Sequence, residues 1–357
     1  MQQFQGLPRI CTGPSAARAL RTFSGARVLL VSDEDPLSAA RRLQPALPGT
    51  ALLPCPTQAL QSPERLLHAA RAAERHSIQA LLALGGPESM LAAKRLRLQL
   101  PLNMHFLCIP DISGAAECLC DTLPLRAGQA SRALSSPALA PDCVILDAAL
   151  TRPGTVAQRM DAALHQAALA LEAVCATGAS FLSNALALSA MESLWPILHL
   201  HAPPDAQLLL NTGCTSGAAA NSAGTGVCMA LQRAACALVP ELAPGSAALL
   251  LLPDVLAFYA PECSVPFRLL SERLDLPEGP EWALRQLPDM LWRRAAAQSG
   301  AFLPHLHAIA AAAARDPRLA GSPRPAGPDK LRTLLRSALR PRQAPSSASQ
   351  SSASRSR

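Results

Sequence analysis

Residues 141–151 read Pro-Asp-Cys-Val-Ile-Leu-Asp-Ala-Ala-Leu-Thr, and residues 160–165 read Met-Asp-Ala-Ala-Leu-His. The first stretch contains the apolar run of a buried strand, and the second lies in a helical pattern. Asp161 and His165 are four residues apart, so a helix places both on one face. A carboxylate and an imidazole so placed are candidate ligands for one divalent cation. Two protein ligands alone rarely hold a transition metal, so further ligands must come from elsewhere.

The two stretches resemble the signature of the iron-containing (group III) alcohol dehydrogenases, roughly P-D-x-x-I-L-D-P-x-L-T followed by G-M-D-A-x-x-H-A-x-E-A. The matched letters are ordered and numerous, and the resemblance extends from about Leu7 to about Tyr259. It implies a dehydroquinate synthase-like fold, with a Rossmann-like domain before a helical domain. It also implies an NAD-dependent oxidoreductase that interconverts a small alcohol and an aldehyde with bound Fe²⁺ or Zn²⁺.

Composition excludes several classes of protein. The chain has 357 residues, half of them apolar, which is enough for two domains with a sizeable core. The net charge is +7, but the arginines are scattered without interleaved aromatic residues, so we expect no nucleic-acid partner. We find no run of about 18 uncharged apolar residues and no leader pattern, so we predict a cytoplasmic protein without a membrane partner. The eleven cysteines suit buried thiols in a reducing compartment.

The pattern of apolar residues changes along the chain. Short apolar runs alternate with helical stretches in the first half, which predicts a parallel sheet covered by helices. The predicted strands are 27–33, 51–55, 80–84 and 105–110, and a helix begins after Ser62 and ends near Arg75. From Thr155 to about Arg315 the chain reads as long Ala/Leu helices. The predicted fold class is therefore α/β plus α, with an α/β domain at 1–152, an all-helical domain at 153–340 and a disordered tail at 341–357.

A strand followed by Gly85 and Gly86 and then a helix is the arrangement in which backbone amides approach a pyrophosphate. By resemblance the stretch matches the family element G-G-G-S-x-x-D-x-x-K, with Lys94 as its last residue. Pro87 replaces the third glycine and removes a backbone donor, and Glu88 brings a carboxylate to the phosphate region. Leu91 replaces the aspartate of this element. We therefore expect weakened NAD binding, by several kcal/mol if each lost charge-assisted contact is worth roughly 1.5–3 kcal/mol.

Two further stretches belong to the predicted cofactor site. The family element P-T-T-x-G-T-G-S-E corresponds to 110–117, where Ser113 and Gly114 remain and Asp111 adds another acid. Asp33 ends the first predicted strand and matches the acid that the family places on the adenosine ribose, which would favour NAD over NADP. An aspartate at a strand end is also common in any α/β fold.

The resemblance implies a four-ligand site of one aspartate and three histidines, of which only Asp161 and His165 remain. Met229 occupies the next histidine position, Arg233 that of a nearby cleft histidine, and Pro244 (or Ala243) the last. Thioether, guanidinium and proline groups are poor ligands for Fe²⁺ or Zn²⁺.

Several assignments stay open around this degraded site. Cys228 or Glu117 is a candidate substitute ligand, although a buried thiol is the ordinary reading of Cys228. Asp161 and His165 are alternatively a structural pair, with Arg233 supplying the charge of the missing metal. The pairs His199/His201 and His305/His307 are read as solvated helix ends because no acidic or thiol partner stands at a ligand spacing.

Two functions follow. The first is an NAD-dependent alcohol dehydrogenase that keeps Asp161 and His165 as metal ligands. The second is a catalytically impaired member of the family, with a structural, partner-binding or regulatory role. The resemblance also suggests a homodimer or higher oligomer, and the fold does not decide between the two functions.

Overall fold

A computed structural model describes residues 7–101, 103–127, 130–200 and 203–340. The predicted tail at 341–357 and His201 lie outside the described residues.

The first half of the chain forms a six-stranded, fully parallel sheet in the order β1-β8-β5-β4-β2-β3. Strands β6 and β7 form a separate antiparallel hairpin. The strands are β1 Arg9–Thr12, β2 Arg27–Ser32, β3 Ala51–Pro56, β4 Ala80–Gly85, β5 His105–Pro110, β6 Thr122–Ala127, β7 Ala130–Ser135 and β8 Cys143–Leu146. The predicted parallel sheet is confirmed, whereas β1 and the hairpin were not predicted.

The central strands are apolar throughout because both faces of the sheet are covered. In β2, Leu29 and Val31 face the large core that continues into the helical half, while Val28 and Leu30 face a smaller core under the first helix. The alternation follows from the two-residue period of a strand. The sheet and the helical half therefore share one continuous core.

The helices are α1 Pro36–Leu43, α2 Pro63–Arg75, α3 Pro87–Arg97, α4 Val156–Cys175, α5 Phe181–His199, α6 Ala206–Ala223, α7 Val227–Leu238, α8 Pro244–Tyr259, α9 Ser264–Leu274, α10 Pro280–Arg285, α11 Asp289–Phe302, α12 Leu306–Ala313 and α13 Pro328–Ala338. Short 3₁₀ segments cover Ala16–Phe23, Thr57–Leu60, Pro137–Leu139, Ala148–Leu150, Leu303–His305 and Pro317–Gly321. The predicted start of α2 is confirmed, with the Ser62 hydroxyl accepting from the backbone of Arg65.

Helix α4 is the centre of the helical half. It packs against α5, α6 and α8 and is buried along most of its length. Its start is fixed by Thr155, which forms a capping box with Gln158. In the described part of the chain, α5 alone has the length and apolar composition of a membrane span, and it packs against α4 and α6. The last strand of the sheet ends at Leu146 and the long helix α4 begins at Val156. The domain boundary at 152/153 stays a prediction.

Candidate functional site

A cleft of about 980 Å³ lies between the carboxyl ends of the sheet strands and the helices α4, α7 and α8. Asp33 and Asp111, which follow β2 and β5, line it from the sheet side. Asp161 and His165 line it from α4. Ligands of open α/β sheets bind at this edge of the sheet, so the cleft is the candidate site.

The Gly85–Gly86 turn is filled by a side chain of the protein itself. Gly85 has a φ of +121°, which favours glycine, and a Cβ at this position would overlap the Asp33 carboxylate. The backbone N–H of Gly86 donates to Asp33 Oδ2 at 3.1 Å. Gly86 is also the N-cap of α3. The Asp33 carboxylate therefore lies at the helix start where the resemblance places a pyrophosphate.

The loop after β5 packs directly on this turn. A Cβ built on Gly114 would lie 2.7 Å from the carbonyl oxygen of Gly85 and 2.9 Å from the carbonyl carbon of Gly86. Asp111 Oδ1 accepts from the backbone N–H groups of Ser113 and Gly114 and from the Ser113 hydroxyl. Burial raises the pKa of Asp111, these hydrogen bonds oppose the rise, and the neighbouring Asp33 adds to it.

Lys94 lies inside the protein rather than on the cleft. Its ammonium group donates to the carbonyl oxygens of Glu117 at 2.6 Å and Cys120 at 2.5 Å. The side chain is fully buried, and these bonds hold the turn that follows the Ser113–Gly114 loop. The structure gives Lys94 a structural role here, and contact with a cofactor stays a prediction.

The predicted cofactor residues thus lie together, Lys94 excepted, but they contact one another. Asp33 and Asp111 both border the space above Gly86, where a Cβ would lie 3.0 Å from Asp33 Oδ2 and 3.5 Å from Asp111 Oδ2. Two carboxylates at a helix start repel a pyrophosphate, and Pro87 supplies no N–H at the first helical position. The residues present therefore do not fit the diphosphate of NAD.

Asp161 is a helix cap in this structure. Its Oδ2 accepts from the backbone N–H of Gly245 at 3.0 Å, and its Oδ1 accepts from the backbone N–H of Ser246 at 2.8 Å. The Ser246 hydroxyl adds a third bond at 3.2 Å. These groups lie in the first turn of α8, so a carboxylate from α4 satisfies the open end of another helix.

His165 lies beside the carboxylate of Glu117, which the family resemblance did not predict as its partner. Its Nε2 lies 3.6 Å from Glu117 Oε1. Burial raises the pKa of Glu117, but the hydrogen bond and charge of His165, with the charge of Arg318, prevail and lower it. The Nδ1 atom of His165 and Oε2 of Glu117 are buried without a hydrogen-bond partner in the described structure. Of the two candidate substitute ligands, Glu117 is next to His165.

Met229, Arg233 and Pro244 all line the same cleft as Asp161 and His165. Arg233 binds Asp316, with Nη2 at 2.7 Å and Nε at 2.9 Å from Oδ2. Arg233 gives its hydrogen bonds to Asp316, and Asp161 accepts its hydrogen bonds from α8, so the two residues do not form a direct pair. That Arg233 supplies the charge of the missing metal stays a prediction. The structural role expected for Asp161 is nevertheless seen.

Cys228 lies in the core and not in the cleft. Its thiol is buried, its Sγ lies 3.7 Å from the carbonyl oxygen of Ala248, and burial raises its pKa well above the ordinary value. In the described ranges no group of three or more His, Cys, Asp or Glu side chains has the geometry of a metal site. Because Met229 and Pro244 supply no suitable ligand atom, the residues present do not fit a four-ligand iron or zinc centre.

The described members of the two other histidine pairs lie at helix ends, as predicted. His199 is the exposed last residue of α5, and its Nδ1 lies 2.9 Å from the carbonyl oxygen of Trp195. His305 and His307 lie at the junction of a 3₁₀ segment and α12, and His307 is exposed.

Sequence reasoning missed a second capping acid, Glu172. Its buried carboxylate accepts from the backbone N–H groups of Gly226, Cys228 and Met229 and from the Tyr259 hydroxyl, at 2.8–3.0 Å. Burial raises its pKa, and these hydrogen bonds oppose the rise. Glu172 stands eleven residues after Asp161, three turns along the same face of α4. The sequence signal for this buried role was a single acidic residue within the apolar stretch 167–175.

Comparison with known proteins identifies the architecture. No known family description matches the sequence, and no curated protein matches it. Solved structures do match. The iron-containing alcohol dehydrogenase from Thermococcus thioreducens has a TM-score of 0.79 and 20% identity, over 95% of this chain and 100% of that one. Maleylacetate reductase from Agrobacterium tumefaciens has a TM-score of 0.77 and 20% identity, over 95% and 98%.

A third solved structure, the iron-containing alcohol dehydrogenase from Corynebacterium glutamicum, has a TM-score of 0.78 and 18% identity, over 95% of this chain and 97% of that one. The matched architecture is a parallel-sheet domain followed by a helical domain. The chain has the fold of the iron-containing alcohol dehydrogenases, so the predicted resemblance is confirmed at the level of the fold.

Proposed function

We propose that the chain is a divergent member of the iron-containing alcohol dehydrogenase family that has kept the fold and lost the metal- and NAD-dependent reaction. It would act as a small-molecule binding protein through the same cleft. The observation that carries this proposal is the use of both oxygens of Asp161 to cap α8. Asp161 would still stabilise the start of α8 in a protein that had lost its metal.

Two further features support the proposal. Met229 and Pro244 stand in the cleft where the resemblance requires histidines, and neither side chain suits iron or zinc. Asp33 and Asp111 border the turn that would receive the diphosphate. In the family the metal polarises the substrate oxygen as a Lewis acid, so its loss removes a large electrostatic stabilisation of the transition state.

The second candidate is an active NAD-dependent dehydrogenase acting on a small alcohol or aldehyde. The position of Glu117 beside His165 favours it, because a carboxylate there would add a third oxygen or nitrogen ligand to Asp161 and His165. Under either proposal a cytoplasmic location suits the eleven free thiols, and the resemblance suggests a dimer or larger assembly.

The deciding experiment is metal analysis by mass spectrometry on protein purified without oxygen and incubated with Fe²⁺ or Zn²⁺. Asp161→Ala and His165→Ala serve as controls for the site. We expect no stoichiometric metal and no saturable NADH fluorescence change below about 100 µM, an ordinary cofactor affinity. About one metal per chain, lost in both variants and accompanied by alcohol oxidation, would instead establish the second candidate.

A further inference from the structure

Three arginines line the helical end of the cleft. Arg233 comes from α7, Arg294 from α11 and Arg318 from the 3₁₀ segment Pro317–Gly321. All three belong to elements of the helical half, whereas Asp33 and Asp111 follow strands of the sheet. Guanidinium groups present fixed, planar donors that match the oxygens of carboxylates and phosphates.

Among the described residues, the three arginine side chains have one direct carboxylate partner between them, Asp316. Arg233 uses Nε and Nη2 on a single oxygen of Asp316, whose other oxygen accepts from the backbone of Arg318. Arg318 donates from its side chain to the thiol sulfur of Cys120 at 3.3 Å, and a thiol is a weak acceptor. Arg294 makes no hydrogen bond or ion pair with a described residue.

The acids that face the arginines are already engaged. Glu117 contacts His165, although its charge also acts on Arg318. Asp161 is directed at the start of α8. Burial lowers the pKa of Arg233, and the nearby positive charge of Arg318 lowers it further. An anion between these guanidinium groups would relieve that repulsion.

A second, independent feature is the buried side-chain amide of Gln232, next to Arg233 on α7. Gln232 lines the cleft, is only 3% exposed, and its Oε1 has no hydrogen-bond partner in the described structure. Gln232 and Arg233 are neighbours on α7 and both reach the cleft. A buried amide oxygen without a donor costs free energy, so a ligand hydroxyl would satisfy it.

We infer that this end of the cleft binds a small hydroxylated organic acid, with its anionic group on Arg233, Arg294 and Arg318 and a hydroxyl on Gln232. The inference rests on the proposed function, since a resident metal would compete for the same space. Apolar side chains at Ile112, Ala162 and Leu169 contact the carbon body, and the carboxylates at the sheet end oppose a longer polyanion such as a dinucleotide.

The test is calorimetric titration of the full chain, freed of metal on a chelating resin and kept in HEPES at low salt. Malate and glycerol 3-phosphate separate a carboxylate from a phosphate group. Butane-1,2,4-triol and glycerol are their uncharged counterparts. Arg294→Gln is the diagnostic variant because Arg294 has no described partner to lose. Arg293→Gln, which removes the neighbouring, highly exposed arginine, is the matched control.

We expect at least one anion to bind with a Kd below about 1 mM, tighter than its uncharged counterpart. Arg294→Gln should weaken binding at least about tenfold, as loss of one charge-assisted bond would, and Arg293→Gln should not. The anion that binds more tightly identifies the group recognised. Absence of binding, equal binding of the uncharged counterparts, or unchanged binding by Arg294→Gln would overturn the inference.

Metal analysis of the same preparation keeps the two proposals apart. A metal-free protein that binds neither anion contradicts only the anion site. A protein that takes up metal stoichiometrically, yet binds the anion when metal-free, contradicts only the proposed loss of the metal centre.

Discussion

At the scale of single residues, Asp161 does the work of a helix cap. We predict that Asp161→Ala lowers the free energy of unfolding by about 1–3 kcal/mol, because it leaves the first N–H groups of α8 without a partner. Asp161→Asn, which keeps an acceptor but loses the charge, should cost less. Urea denaturation followed by circular dichroism measures both. Unchanged stability of Asp161→Ala in metal-free protein would mean that the cap contributes nothing.

Glu172, the other capping acid of α4, should make stability depend on pH. Its pKa is raised in the folded protein, mainly by burial. A raised pKa favours the protonated folded state, so this contribution is present below the unfolded pKa of about 4.3 and is lost as pH rises through the folded pKa. The free energy of unfolding of wild type minus that of Glu172→Gln should therefore fall as pH rises above about 4. Urea titrations at several pH values measure this signed difference, and a constant or rising value would contradict the raised pKa.

At the scale of elements, the loop carrying Gly114 closes over the Gly85–Gly86 turn. Gly114→Ala places a Cβ against two backbone atoms that cannot rotate away, so we predict a loss of about 1–3 kcal/mol, as in overpacked cores. Gly300→Ala is the control, because no atom lies within 4 Å of its Cβ and it lies in a helix, where alanine is favoured. Thermal unfolding compares the two. Equal melting temperatures would show that the loop does not hold this close contact in solution.

The elements found by sequence reasoning are those with strong local patterns. The buried strands β2 to β5 are continuous apolar runs, and α2 carries both a serine cap and a proline in its first turn. β1 has four residues, too few for a period to show. Strands β6 and β7 have six residues each, and Pro124 interrupts β6, so neither reads as a continuous apolar run.

The candidate site was predictable in location but not in contacts. The carboxyl ends of parallel strands meet at one edge, which brings Asp33, Gly85 and Ser113 together. Which hydrogen bonds these residues form depends on distances of a few tenths of an ångström between segments far apart in sequence. For that reason the sequence did not indicate that Asp33 accepts from the backbone N–H of Gly86. Its contact with a ribose stays a prediction. The partners Asp316 of Arg233 and Glu117 of His165 escaped prediction for the same reason.

At the scale of the whole molecule, the fold is that of the iron-containing alcohol dehydrogenases, and Met229 and Pro244 stand where the resemblance places histidines. We predict that Met229→His combined with Pro244→His creates a zinc site with Asp161 and His165, because all four positions line one cleft. A carboxylate has about four lone-pair sites and α8 uses three, which leaves one for a metal. Proline is not required at the first position of α8, where histidine restores an N–H.

Mass spectrometry should find about one Zn²⁺ per chain in the double variant, much less in either single variant, and none after the further change His165→Ala. That dependence separates a built site from adventitious zinc on surface histidines. A double variant that folds, as judged by circular dichroism, but takes up no metal would mean that α7 and α8 hold positions 229 and 244 too far from α4. The helix packing, and not only the identity of the side chains at 229 and 244, would then keep this cleft from holding a metal.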